Sequence, residues 1–260
     1  MAILDIEYYS EVLEIVRPLK VIYPEPSKIE NYKGVDIPVL YLLHGMSGNQ
    51  NSWLVRTGID RLVRQTELAV VMPATDDAWY TNTTYGQRYF DAVALELPQV
   101  LHNFFPNLST KREKNFVAGL SMGGYGAFKL ALGTAHFSYA ASLSGALYFT
   151  NDLFKEHAAA RPDYWRGIFG DLDHFEENPN QLLNIAKMQS GEKPKLYAWC
   201  GLEDDLCAGN DFIARELPKF GYDLTYETAH GRHEWYYWAK QLERVFAWLP
   251  IDWKKEERLS

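Results

Sequence analysis

Between Phe116 and Leu132 an apolar run turns into a helical pattern across the pentapeptide Gly119-Leu120-Ser121-Met122-Gly123. Phe116 to Ala118 has the character of a short buried strand, and Tyr125 to Leu132 that of a helix. A G-x-S-x-G run in that context makes a sharp corner that holds the serine in a strained backbone conformation with its hydroxyl exposed. The glycines are required because strand and helix pass too closely for a Cβ. Just past the corner, the first helical N–H groups have no internal partners and carry partial positive charge, so they can stabilise a developing oxyanion.

A serine hydroxyl attacks a carbonyl only when a neighbouring base takes its proton and an acid orients that base. In folds built around such a corner the order along the chain is Ser, Asp or Glu, His. The loop after the strand 195–200 offers Glu203, Asp204 and Asp205; Asp204, three residues beyond Gly201, is the predicted acid, with Asp205 the alternative. The loop after the last strand carries His230 and His233. His233, directly before a helix in Gly231-Arg232-His233-Glu234-Trp235, is the predicted base, with His230 second. His233-Glu234-x-x begins like a zinc-protease motif, but Tyr237 stands where the second ligand is needed, so no metal site is expected. A second oxyanion donor is expected from the loop after the strand ending at Leu43: the backbone N–H of Met46 would pair with that of Met122, each worth roughly 3–4 kcal/mol in the transition state. His44 is expected to be structural; His102, His136, His157 and His174, on helices or in the insertion over the site, are expected to be structural or solvated.

The rest of the chain builds the frame for these loops. Residues 4–23 alternate as two strands, expected to be antiparallel at a sheet edge. Buried strands follow at 39–43, 68–72, 116–118, 139–144, 195–200 and 223–228. Helices are expected at 59–65, 90–105 (kinked by Pro98), 125–133, 211–220 and 235–249. Strands alternating with helices predict a mainly parallel sheet covered on both faces, with ligands bound beyond the C-terminal strand ends. The aromatic segment 76–89 reads as an irregular loop near the site. Residues 146–190 break the alternation and read as a helical insertion over the active site. No repeat or linker divides the 260 residues, so one α/β domain spanning 1–260 is expected.

Composition excludes other classes. A formal charge of −8 argues against a nucleic-acid or anionic-membrane partner. No apolar run is long enough to span a membrane. The acidic N-terminal heptapeptide lacks a signal peptide's basic and apolar regions, which predicts a cytoplasmic protein. Cys200 and Cys207 are too few for a disulfide framework and lack metal-ligand spacing.

With these residues in place, the chain resembles the esterase D/tributyrin esterase family of α/β-hydrolases. The points of likeness are Tyr41-Leu42-Leu43-His44-Gly45 with Gly48-Asn49 and Ser52-Trp53, the run Ala118 to Ala127, Cys200-Gly201-Leu202-Glu203-Asp204, and His233-x-Trp235-x-x-Trp238, in family order. The resemblance implies an α/β-hydrolase fold with a nucleophile at Ser121, an acid at Asp204 and a base at His233. It also implies hydrolysis of short acyl esters without metal or organic cofactor; relatives are often homo-oligomers, dimers or tetramers, and the oligomeric state stays open. Gly45, Trp53 and Trp79 are the expected substrate-binding residues. S-formylglutathione hydrolases are similar too, but typically carry Ser-Gly-Leu-Thr-Cys where this chain has His44-Gly45-Met46-Ser47-Gly48, and histidines where Leu120 and Tyr125 stand. A non-catalytic binding module of the same fold is the remaining alternative; the presence of all three triad residue types at fitting loops stands against it.

Overall fold

The computed structural model describes residues 1–255. Its centre is an eight-stranded sheet with strand order β1-β2-β4-β3-β5-β6-β7-β8. β1 (Ala2–Ser10) and β2 (Ile15–Tyr23) form the expected antiparallel hairpin, and β2 runs antiparallel to β4 (Ala69–Pro73). β3 (Val39–Leu43), β4, β5 (Asn115–Leu120), β6 (Tyr139–Leu143), β7 (Lys195–Gly201) and β8 (Leu224–Ala229) are mutually parallel. β3, β4 and β5 are buried at every position, which is why they read as unbroken apolar runs and not as alternation. The alternating burial of β1 marks the sheet edge. This is the α/β-hydrolase fold expected from the sequence.

Register places the working ends of the strands on one rim. Leu43 pairs with Gly119, Leu120 with Leu143, and Gly201 with Ala229, so the loops that follow β3, β5, β7 and β8 emerge side by side. Strand order reverses between β3 and β5, and a crevice opens at such a reversal.

Helices cover both faces. After β3 come the short α1 (Ser52–Arg56) and α2 (Ile59–Leu62); the helix expected over 59–65 is only this one turn. The helix expected over 90–105 departs further from expectation. α3 (Tyr89–Asp91) passes into a π-helical stretch, Ala92–Glu96, before α4 (Leu97–Phe104). Pro98 has no N–H to give to the residue four back, and the widened turn just before it takes up that misfit. α5 (Met122–Gly133) follows β5 and stops at the predicted glycine. Helices α6 (Asn151–Ala158), α7 (Pro162–Phe169) and α8 (Leu182–Met188) make up the insertion after β6. α9 (Cys207–Glu216) starts four residues before the expected Asp211 and ends in a 3₁₀ turn at Leu217–Phe220; α10 (Trp235–Trp248) closes the described chain.

The insertion owes its place to aromatic packing. Phe154 of α6 stacks on Phe175 with ring centroids 3.6 Å apart, and Trp165 and Phe169 meet Phe154 edge-on. Trp79 packs against Trp165, Phe169 and Tyr125, joining the insertion to the aromatic loop and to α5. Four such rings bury several hundred Å² of apolar surface away from water, which is what anchors a segment with so little periodicity. Among the described residues, no helix is long and apolar enough to cross a membrane.

Candidate active site

The corner at Ser121 has the conformation that the sequence demands. Ser121 has φ 53° and ψ −120°, a left-handed-side geometry that costs a non-glycine residue energy and persists only where the surroundings enforce it. The enforcement is steric. A Cβ on Gly119 would lie 2.2 Å from the carbonyl oxygen of Gly123, and one on Gly123 would lie 2.5 Å from that of Leu43. Strand β5, helix α5 and the end of β3 therefore converge with no room for side chains. Ser121 N–H donates to the Leu143 carbonyl (3.0 Å), tying the corner to β6.

Ser121 Oγ lies 2.9 Å from His233 Nε2, and His233 Nδ1 lies 2.9 Å from Asp204 Oδ2. With the imidazole neutral, Nδ1–H donates to the carboxylate and Nε2 accepts from the hydroxyl. The loops bearing Asp204 and His233 touch directly. Glu203 N–H donates to the Gly231 carbonyl, and a Cβ on Gly201 would stand 2.1 Å from that same oxygen. This contact between the ends of β7 and β8 brings the acid under the imidazole. Asp204 is buried; desolvation pushes its pKa up, but hydrogen bonds from His233 and from the Leu206 N–H (3.0 Å) outweigh this and hold the carboxyl below the ordinary value. The ring of Trp238 meets His233 edge-on at 4.8 Å and limits its rotation.

The alternatives are engaged elsewhere. His230 pairs with Glu203 (2.7 Å) on the surface, which raises the histidine's pKa, while the Gly231 N–H and then His230 lower the carboxyl's. Asp205 faces the cavity but makes no bond to His233. His44 is buried: its Nδ1–H donates to the Gly45 carbonyl (2.8 Å), and its Nε2 accepts from the Thr75 N–H (3.1 Å). Burial lowers its pKa, so it stays neutral and braces the loop after β3, the structural part expected of it.

Met46 stands in that loop and Met122 at the first position of α5. Among the described residues, no acceptor takes the N–H of either. Two free donors bracketing a strained serine are what a developing oxyanion requires.

These groups open into a cavity of about 660 Å³. Gly45 and Trp79 line it, as expected. Trp53 does not: it is 1 % exposed, its Nε1–H donates to the Leu43 carbonyl (2.9 Å), and its ring packs against Trp235. Trp53 is a strut under the loop after β3 and not a substrate contact, because the indole N–H found a buried carbonyl to satisfy. The cavity has walls that the sequence reading did not assign, from Arg56 of α1, Phe149 and His157 of the insertion, and Trp235 and Trp238 of α10. The spacing of Trp235 and Trp238, one helical turn beyond His233, could have revealed that wall. His157 is not a free solvated side chain: it packs on Phe149 and Trp165, and burial lowers its pKa. Nothing in the sequence distinguishes Arg56 from any solvated arginine. A second cavity, about 460 Å³ at the opposite ends of the strands, is lined by no serine, cysteine or histidine. Among the described residues, no three His, Cys, Asp or Glu side chains are grouped to hold a metal ion.

The chain is similar to known esterases and serine hydrolases. The model of the family described as "Putative esterase" matches residues 10–249. An acetyl esterase of Caldicellulosiruptor saccharolyticus is 33 % identical over 96 % of this chain and 98 % of its own. Two Staphylococcus aureus structures, each covering 95 % of this chain and 98 % of their own, are similar: the fluorophosphonate-binding serine hydrolase FphF (29 % identity, TM-score 0.83) and the S-formylglutathione hydrolase FrmB (30 %, 0.77).

Proposed function

The chain belongs to this esterase family, and from that premise we propose that it is a serine carboxylesterase acting on short-chain acyl esters through an acyl-enzyme. The observation that carries the reading is the unbroken hydrogen-bonded series from Ser121 through His233 to buried Asp204. His233 Nε2 takes the Ser121 proton as Oγ attacks the ester carbonyl, and the imidazolium that forms is stabilised by Asp204. The N–H groups of Met46 and Met122 receive the oxyanion. The tetrahedral intermediate collapses as His233 returns the proton to the leaving alcohol. A water deprotonated by the same nitrogen then attacks the acyl-enzyme, and the second collapse frees the acid and restores Ser121.

The acetyl esterase likeness supports a small acyl group, and so does the aromatic wall of Trp79 and Phe149 on the insertion side. The test is Ser121→Ala assayed on 4-nitrophenyl acetate and butyrate. Because triad members act as a unit, kcat should fall by about six orders of magnitude. A variant that kept full activity would overturn the proposal.

The likeness to an S-formylglutathione hydrolase favours a second reading, a thioesterase using the same residues. The ratio of kcat/KM for S-formylglutathione to that for butyrate esters separates the two, and a ratio well below one is expected.

A further inference from the structure

Among the described residues, Arg56 is the one side chain with a permanent positive charge on the cavity that holds Ser121. It is exposed, and among the described residues it has no ion-pair or hydrogen-bond partner through its guanidinium. A chain carrying eight net negative charges that leaves an arginine unpaired beside its reactive serine has a cation available to a substrate.

The position of Arg56 indicates which half of the substrate it meets. A leaving alcohol receives its proton from His233, so it lies on the His233 side of Ser121. From His233 a run of packed rings leads to Trp238 (4.8 Å) and Trp235 (5.5 Å), both on the cavity wall, and beneath them to buried Trp53 (5.3 Å). Trp53 belongs to α1, and Arg56, three residues further along that helix, reaches the cavity that Trp235 and Trp238 also line. The bond from Trp53 to the Leu43 carbonyl ties α1 to the end of β3, so Arg56 is carried on a fixed support. The wall from the aromatic loop and the insertion carries Trp79, Phe149 and His157, the imidazole with its pKa lowered by burial, and no permanently charged cation.

We infer that Arg56 is a specificity-determining residue that recognises a carboxylate on the alcohol half of the ester. Asp205 also faces the cavity and, with the negative net charge, penalises a second negative charge on the ligand. That favours a singly charged carboxylate over a phosphate dianion. The inference rests on the esterase reading above.

The experiment compares kcat/KM for the acetate esters of 3-hydroxybenzoate and of its neutral isostere 3-hydroxybenzamide. In the wild type the carboxylate should be preferred about fivefold, the ratio that a partly exposed ion pair of ~1 kcal/mol supplies. The gain should appear mainly in KM and should shrink as salt is raised. Arg56→Gln should bring the ratio to one or below, Arg56→Lys should keep part of it, and Arg56→Glu should invert it. A ratio unchanged in Arg56→Gln, or no preference in the wild type while both esters are hydrolysed, would overturn this inference and leave the esterase reading standing. A preference found instead for 4-nitrophenyl hemisuccinate over 4-nitrophenyl butyrate, with none between the two acetates, would also overturn it. If the wild type hydrolysed neither acetate, the esterase reading would fall and this inference with it.

Discussion

Asp204 is buried beneath His233 and accepts two hydrogen bonds, and these hold its pKa below the ordinary carboxylate value of 3.8 despite the desolvation that opposes them. A carboxyl depressed in this way contributes stability that is present above its unfolded pKa and lost as pH falls through the folded one. It remains charged throughout the neutral range, so the acid limb of a pH–rate profile is not set by Asp204. Its charge matters because it fixes which imidazole nitrogen carries the proton. Asp204→Asn offers His233 a different partner and permits the wrong tautomer. The expected result is a fall in kcat of about four orders of magnitude, with KM changed far less, as measured by initial rates on 4-nitrophenyl acetate. Circular dichroism should show the fold retained. His230, ion-paired at the surface, provides the control: its replacement by Gln should leave kcat within about twofold, since exposed pairs contribute little.

At the scale of elements, α5 does more than carry the residues after Ser121. Its Lys129 is buried, with Nζ donating to Thr81 Oγ1 (2.6 Å) in the aromatic loop and to Asn180 Oδ1 (2.7 Å) in the insertion. Tyr125 donates from its hydroxyl to the Asn180 carbonyl (2.7 Å), one turn earlier on the same helix. These bonds clasp three separate segments around the cavity. Among the described residues no carboxylate pairs with the amine, and burial lowers its pKa well below 10.5. A base depressed in the folded state binds fewer protons than in the unfolded chain, so stability rises with pH between the folded value and the ordinary one. Urea denaturation of the wild type at stepped pH should therefore show stability increasing from neutral toward pH 10, and Lys129→Met should remove that increment. A slope unaltered by the substitution would mean that the amine is charged in the folded protein. Elements covered on both faces were the ones the sequence could announce. β3, β4 and β5 showed themselves as apolar runs because both faces are covered, and the end of α5 by Gly133. The π-helical turn before Pro98 and the early start of α9 at Cys207 were not legible, because each depends on packing that propensity does not encode.

For the molecule as a whole, the insertion between β6 and β7 decides how deep the cavity is. Phe149 reaches the cavity from a segment held by the Phe154–Phe175 stack and the ring of Trp165. Such packing is as dense as a core and yields little to a longer ligand. With 4-nitrophenyl esters from acetate to laurate, kcat/KM should be highest for acetate and butyrate and should fall by about tenfold or more toward laurate. A profile still rising at octanoate would mean that the aromatic wall opens in solution. The family assignment, the mostly parallel sheet and the shared rim all agree with this scale of description.

The sequence by itself determined what short-range sterics and periodicity can encode. The corner at Ser121 follows from five consecutive residues, and the order of loops after recognisable strands puts the acid among residues 203–205 and the base at His230 or His233. Tertiary structure alone decided between neighbours of equal chemistry: it gave Asp204 to His233 and Glu203 to His230, because the ends of β7 and β8 meet at Gly201 and Gly231. It also turned Trp53 inward to a buried carbonyl and left Arg56, on the same helix, facing the cavity. A cavity wall is assembled from side chains far apart along the chain, so its composition exists only once the chain has closed around it.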